Sequence, residues 1–185
     1  LPPPDEEEGL IADPHFWLDP VLASREVELI RDAFMDVDPA GADEYRGNAG
    51  RYLAELAALE QSYREGLASC AQKEIVTSHA AFGYLAKRYN MVMIPISGLS
   101  PEEEPSPKKL AEVANLVKER GIRYIFMETL VSPKLAQTIA RETGAETLVF
   151  NPLEGLTDDE ADAGKNYVSI MEENLNNLRM ALVCR

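Results

Sequence analysis

The chain of 185 residues is 45% hydrophobic and 27% charged, which is typical of one globular domain or of one domain with part of another. Its 32 acidic and 18 basic residues give a formal net charge of −14, so the chain repels nucleic-acid phosphates and we expect no nucleic-acid partner. No apolar run has the length that a membrane span requires, and the sequence shows no signal peptide.

The chain begins with a Pro-rich, acidic stretch. Residues 1–12 contain three consecutive prolines and four acids, which cannot build a core, so we predict an extended tail. Because the first residue is Leu1 rather than Met, we also expect a processed or truncated product. From Pro20 the spacing of apolar residues predicts a helix to about Asp36, with an apolar stripe at Leu22, Val27, Ile30 and Phe34.

A second and much longer helix is predicted from about Asp43 to Cys70. Apolar residues recur there at alternating steps of three and four, which makes one stripe over about seven turns: Tyr45, Ala49, Tyr52, Leu56, Leu59, Tyr63 and Leu67. At ~1.5 Å per residue this helix would be roughly 40 Å long. We expect a strut that lies across a larger body rather than a strand of a coiled coil.

The rest of the chain alternates between strands and helices. The predicted pairs are strand 74–78 with helix 80–89, strand 91–96 with helix 107–120, strand 123–127 with helix 133–143, and strand 146–150 with helix 167–183. This alternation predicts an α/β fold with a parallel sheet and right-handed crossovers. Pro95 removes a hydrogen-bond donor from the second strand, which places that strand at an edge of the sheet. We therefore predict a four-stranded parallel sheet in the order 2-1-3-4, flanked by helices and preceded by the long helix.

Polar side chains follow the predicted strands at the point where each strand ends: His79, then residues 97–99, then Glu128 and Thr129, then residues 151–154. Ligands of open parallel sheets bind at this carboxyl edge. The chain has two histidines, His15 and His79, and two imidazoles with a carboxylate such as Glu154 are ligand types that zinc prefers. The sequence therefore suggests a metal site.

Each of these residues also has a structural interpretation. His79 would equally be a histidine at a helix N-terminus that hydrogen-bonds the backbone. His15, next to Phe16 and Trp17, would be a half-buried packing residue. Glu154 would be an ordinary loop acid, and Glu128 has the same position after a strand, either as a ligand or as an acid paired with a buried base.

The sequence offers no catalytic motif. It has no nucleophile elbow, no dinucleotide-binding fingerprint and no phosphate-binding loop, so we predict no catalytic residue and no enzyme activity. The alternative hypothesis is a metal-dependent hydrolase on the α/β sheet. Such an enzyme would keep an open coordination position on zinc and would use a general base such as Glu128.

The same residues carry a resemblance to a known family. The matching segments are DPHFWLDP (13–20), VTSHAAFGYL (76–85), ISGLSPEEEPSP (96–107), NPLEGLT (151–157) and NYVSIMEENL (166–175). From about Asp13 to Leu178 the chain resembles the zinc- and manganese-binding lipoproteins that deliver metal to ABC importers, the cluster A-I solute-binding proteins.

The resemblance implies two α/β lobes joined by one long helix, with the metal held between them. It divides this chain into a remnant of the N-terminal lobe with the first metal-ligand motif (1–20), a helix and turn (21–42), the long linking helix (43–72) and the C-terminal metal-binding lobe (73–185). Most of the N-terminal lobe, which supplies the first histidine ligand in the family, is missing from this sequence.

Three of the family's metal ligands carry over, as His15, His79 and Glu154. Zinc-type members have a histidine at the position of His79, whereas manganese-type members have a glutamate, so the resemblance favours Zn²⁺ over Mn²⁺. Because the fourth ligand is missing, we expect the three remaining side chains to be exposed and poorly preorganised in this chain.

The function that the resemblance implies is metal capture outside the cytoplasm. Its partners would be a divalent metal ion and the membrane permease of an ABC importer. The protein would be periplasmic or attached to the cell surface through a lipid anchor outside this chain, and cell adhesion is a further label of the family.

The two cysteines are a separate question. Cys70 ends the predicted long helix just before the first strand, and Cys184 ends the closing helix, so both should lie near the amino edge of the sheet. An extracytoplasmic compartment would permit a disulfide. Two separate thiols remain the alternative.

Overall fold

The computed structural model describes residues 12–185, so the predicted tail lies outside the described residues except for its last position. The described part forms an α/β fold with a single four-stranded sheet. Over residues 12–185 no helix combines the length and the hydropathy that a membrane crossing requires.

All four strands of the sheet run parallel, in the order β2-β1-β3-β4. Their bounds are Glu74–Thr77 (β1), Val92–Pro95 (β2), Tyr124–Met127 (β3) and Glu146–Val149 (β4). The predicted sheet, its order and its parallel sense are therefore confirmed, with each strand one or two residues shorter than predicted.

Pro95 lies on the outer side of the edge strand β2. The N–H groups of Val92 and Ile96 donate to the carbonyls of Lys73 and Thr77, and neighbouring residues of a strand direct their N–H groups to opposite sides. The nitrogen of Pro95 therefore faces away from β1, where its missing hydrogen breaks no bond of the sheet. This is the placement that the sequence predicts.

Seven α-helices accompany the sheet in the described residues: Pro20–Val37 (α1), Ala42–Gly66 (α2), Gly83–Arg88 (α3), Pro107–Arg120 (α4), Lys134–Thr143 (α5), Asp158–Asp162 (α6) and Tyr167–Ala181 (α7). The short helix α6 was missed by the sequence analysis. Its N-terminal capping box, in which Thr157 and Glu160 bond each other's backbone N–H groups, is visible in the sequence as Thr-x-x-Glu and would have predicted it.

Two predicted helix boundaries were wrong. The long helix α2 ends at Gly66 rather than Cys70, because the N–H groups of Ala71 and Gln72 donate to carbonyls near the C-terminus of the chain instead of continuing the helix. The helix after β1 begins at Gly83 rather than Ala80, and the Ala80 N–H donates to the carbonyl of Gly98 on the neighbouring loop.

The core lies on both faces of the sheet. Neighbouring residues of β1 and β3 point to opposite faces, so Ile75 and Phe126 pack with α2 and α7, whereas Val76 and Ile125 pack with α4 and α5. The first face contains the larger side chains, among them Leu56, Leu59, Tyr63, Phe82, Phe150, Met171 and Leu178, all at most 2% exposed.

The apolar stripe predicted on α1 is only partly covered. Leu22 and Val27 are partly buried, but Ile30 and Phe34 are 49% and 51% exposed. Within the described residues α1 packs chiefly against α2, and nothing covers the other side of its C-terminal half. Two of the four residues of the predicted apolar stripe, Ile30 and Phe34, are therefore exposed.

Cys70 and Cys184 form a disulfide, with their Cα atoms 3.8 Å apart. The bond joins the segment just before β1 to the end of the chain, at the amino edge of the sheet. Of the two alternatives that the sequence left open, the structure contains the disulfide.

Candidate metal centre

The three predicted ligand residues meet at one point beyond the carboxyl edge of the sheet. The Nε2 atoms of His15 and His79 lie 3.4 Å apart, and Oε1 of Glu154 lies 3.3 Å from the first and 3.5 Å from the second. His15 and Glu154 are separated by 139 positions in the sequence.

These distances match the spacing of zinc ligands. With Zn–N and Zn–O bonds of about 2.0–2.1 Å, two ligand atoms of a tetrahedral site lie about 3.3–3.4 Å apart. The three atoms thus form an almost equilateral triangle. Its sides are about as long as the distance between two ligand atoms of a tetrahedral zinc site. Among residues 12–185 this is the one cluster of three histidine, cysteine or acidic side chains with metal-ligand spacing.

His79 is fixed by the turn that follows β1. The hydroxyl of Thr77 donates to the His79 carbonyl over 2.8 Å, and the His79 side chain is fully buried. Because α3 begins only at Gly83, the interpretation of His79 as a helix-capping histidine is wrong. The residue lies in an irregular turn.

Glu128 lies on the Nδ1 side of the His79 ring, opposite the proposed metal position. Its Oε1 atom accepts the His79 backbone N–H over 3.2 Å and the Nδ1 hydrogen over 2.7 Å. Its Oε2 atom is buried without a hydrogen-bond partner in the described part of the chain. Of the two roles that the sequence left open for Glu128, the geometry supports pairing with a buried base.

His15 has an equivalent partner in Asp13. Oδ1 of Asp13 accepts the His15 backbone N–H over 3.0 Å and the Nδ1 hydrogen over 2.8 Å, and His15 is 3% exposed. Burial disfavours the protonated ring and by itself lowers the pKa of His15. The hydrogen bonds to Asp13 and Glu154, together with the negative charges of these two residues, outweigh burial, so the pKa of His15 is above its usual value. A bound metal would therefore compete with a proton at this ring.

The turn that carries His15 is anchored to the α/β body. Asp19 caps α1 and also pairs with Arg88 at the end of α3 over 2.5 Å, and Tyr84 donates its hydroxyl hydrogen to the Asp13 carbonyl over 3.2 Å. Leu18, next to Asp19, is fully buried. The two histidine ligands are consequently held by one packed unit.

Glu154 lies on the irregular loop between β4 and α6. Its side chain is 28% exposed, whereas the side chains of the two histidines are 4% and 0% exposed. The preceding residue, Leu153, has φ of 57°, in the left-handed region that side chains other than glycine adopt rarely. Oδ1 of Asn151 accepts the Leu153 N–H over 2.8 Å and supports this conformation.

Buried amides hold the base of the same loop. Asn174 of α7 accepts the Asn151 N–H over 2.9 Å and donates to the Asn151 carbonyl over 2.8 Å. Asn151 donates in turn to Glu160, 3.0 Å away. The hydrogen bond from the Thr157 backbone N–H lowers the pKa of the Glu160 carboxyl and outweighs burial, which raises it. The Thr157 hydroxyl and the charge of Lys165 lower this pKa further.

One expectation about these ligands was wrong. All three side chains were expected to be exposed and poorly preorganised, but both histidines are buried and each ring is oriented by a carboxylate. Glu154 alone retains substantial exposure. Asp13 was not recognised as a partner from the sequence, although it stands only two residues before His15, whereas pairing with a buried base was one of the two roles left open for Glu128.

Comparison with known proteins finds relatives whose names refer to zinc binding and zinc uptake. The family described as ZnuA, zinc-uptake complex component A, periplasmic, matches residues 2–181. The zinc-binding lipoprotein AdcA of Streptococcus pneumoniae is 47% identical over 167 residues, which is 90% of this chain and 33% of that protein. The high-affinity zinc uptake system protein ZnuA of Bacillus subtilis is 43% identical over 173 residues, which is 94% of this chain and 54% of that protein.

Solved structures show the same fold. The zinc-bound ZnuA-like domain of Streptococcus pneumoniae AdcA superposes with a TM-score of 0.80 at 45% identity, over 92% of this chain and 64% of that one. The laminin-binding protein Lbp of Streptococcus pyogenes gives a TM-score of 0.85 at 39% identity, over 92% of this chain and 65% of that one. The chain thus spans one third to about one half of the two sequence relatives, and somewhat under two thirds of these two structures.

Proposed function

Since the chain belongs to the ZnuA family of zinc-uptake components, we propose that it captures Zn²⁺ outside the cytoplasm for delivery to an ABC importer, with His15, His79 and Glu154 as ligands. The observation that carries the proposal is the triangle of 3.3–3.5 Å among the three ligand atoms. The names of the relatives support a periplasmic or lipid-anchored location and the membrane permease of a zinc importer as the partner.

The ligand chemistry favours zinc over manganese. Two neutral imidazoles and one carboxylate suit zinc, whereas manganese favours a larger share of oxygen ligands. A fourth ligand is needed to complete a tetrahedron. The relatives' solved domains extend beyond the region that matches this chain, and a histidine in such an extension would close the site with protein ligands alone.

The alternative, a metal-dependent hydrolase, has weaker support. A catalytic zinc needs a general base near its bound water. Glu128, the candidate base, uses its Oε1 atom to hold the Nδ1 side of His79 and lies across the ring from Nε2. Capture without turnover fits this arrangement better.

Calorimetric titration of the disulfide-bonded chain with Zn²⁺ tests the proposal. We expect one zinc per chain, and we expect His79→Ala to remove most of the binding. Asn177→Ala offers a control outside the site, since Asn177 bonds the Val149 carbonyl at the end of β4. Unaltered binding in His79→Ala, or zinc-dependent ester hydrolysis by the wild type, would contradict the proposed function.

A further inference from the structure

Trp17 connects the turn that carries His15 to the loop that carries Glu154. Its indole Nε1–H donates to the carbonyl of Pro152 over 3.0 Å. Trp17 stands two residues after His15, and Pro152 stands two residues before Glu154. The Trp17 carbonyl itself accepts a hydrogen bond of 2.7 Å from the hydroxyl of Tyr167, which fixes the tryptophan backbone to α7.

The other hydrogen bonds of the two segments run elsewhere. The base of the Glu154 loop is bonded to α6 and α7 through Asn151, and the His15 turn is bonded to α3 through Asp19 and Tyr84. Within the described range, and apart from the ligand atoms themselves, the indole of Trp17 makes the one direct hydrogen bond between the two segments. This bond is therefore the direct link that holds the two segments against each other, beside their separate bonds to α7.

The Glu154 loop needs such a restraint. It has no helical or strand bonds between Asn151 and Thr157, it includes a left-handed residue at Leu153, and its ligand is the most exposed of the three. Backbone strain of this kind persists only where surrounding contacts hold it. Without the bond at Pro152, the loop loses its direct hydrogen bond to the turn that carries His15, while the two histidines stay fixed by their own partners.

We propose that Trp17 is a positioning residue for the metal site, which keeps Glu154 at ligand distance from His15 and His79. The expected effect on zinc binding rests on the proposed function, whereas the expected effect on the position of the Glu154 loop does not. Removal of the indole N–H should raise the dissociation rate of zinc, because Glu154 would leave the metal more often. Outer partners of metal ligands typically contribute about 10–100-fold in metal affinity.

Trp17→Phe tests the proposal, since phenylalanine keeps an aromatic ring beside His15, whose centroid lies 5.4 Å from that of Trp17, and removes only the donor and part of the ring. We expect about 10-fold weaker zinc binding or more by chelator competition. Phe16→Leu is the matched control, because Phe16 is an exposed neighbour in the same turn, and it should change the affinity less than twofold.

A double-mutant cycle distinguishes positioning of Glu154 from general damage. In a Glu154→Ala background Trp17→Phe should have little further effect, since the ligand that it positions is gone. An equal loss of affinity in both backgrounds would overturn the proposal.

Amide hydrogen exchange of the metal-free protein provides a test that needs no zinc binding. Trp17→Phe should speed exchange at the Leu153 N–H, with no change in the strands. If the wild type binds no zinc, the proposed function fails while this measurement still decides the role of Trp17. Unchanged exchange at Leu153 would overturn the role.

Discussion

The carboxylate of Glu128 lies 2.7 Å from Nδ1 of His79 and determines which ring nitrogen carries the hydrogen. An ionised carboxylate only accepts hydrogen bonds, so Nδ1 must be the donor and Nε2 keeps its lone pair. Asp13 has the same relation to His15. In their neutral forms both rings therefore direct an Nε2 lone pair toward the same point, which is what a metal ion requires.

Replacement of Glu128 by glutamine should weaken zinc binding. The amide is neutral and can also present a donor to Nδ1, so it no longer selects the tautomer with a free Nε2. We expect a loss of about 10–100-fold in zinc affinity by chelator competition. Glu119→Gln, an exposed acid on α4, is the control for the change of charge. An affinity within twofold of the wild type would show that Glu128 does not orient His79.

The chain alone should bind zinc more weakly than a longer protein that also carries the N-terminal lobe of the family. The two histidines are preorganised here, but within residues 12–185 the three proposed ligands leave one vertex of the tetrahedron without a protein donor. Calorimetry on both proteins checks this expectation. In the longer protein His79→Ala should abolish most of the binding, and equal affinities of the two proteins would argue against a fourth ligand from that lobe.

Loss of the disulfide should lower stability without lowering zinc affinity. The bond closes a loop of 114 residues, for which chain entropy predicts a contribution of about 3–5 kcal/mol to the free energy of unfolding. The double variant Cys70→Ala with Cys184→Ala, unfolded in guanidinium chloride, measures this contribution. Since the bond lies at the amino edge and the ligands at the carboxyl edge, a large loss of zinc affinity would contradict the separation of the two ends.

Protonation of Glu160 in acid should destabilise the loop that carries Glu154. The pKa of Glu160 in the folded protein is below the ordinary value of 4.5, so its contribution to stability is present above that value and disappears as the pH falls through the folded pKa. The variant Glu160→Gln lacks this titration. The stability difference between wild type and variant should therefore be largest near neutral pH and shrink below about pH 4.5. A difference that is independent of pH would contradict this role.

Much of the fold followed from local patterns. The alternation of strands and helices was sufficient to predict a parallel sheet, and Pro95 was sufficient to place its own strand at an edge. Both signals can be read from the residues of the element concerned. The end of α2 was not predictable in this way, since Ala71 gives its N–H group to Val183, far along the chain.

The candidate site shows the same division. The ligand types were recognisable from residue chemistry and from the family resemblance, and the three side chains do converge. The partner of His79 is 49 positions away, and nothing in the spacing chose Glu128 for that role over the role of ligand. The pairing of Trp17 with Pro152, 135 positions apart, had no local signal either.

The outward nitrogen of Pro95 has a consequence for association between molecules. An exposed edge strand offers a row of donors and acceptors on which another chain can add a strand, the first step of aggregation. In β2 the backbone nitrogens of Met93 and Pro95 face away from β1. Pro95 has no hydrogen on its nitrogen, so Met93 is the outward donor of this strand. The loss of one of two outward donors disfavours the pairing of a foreign strand with β2.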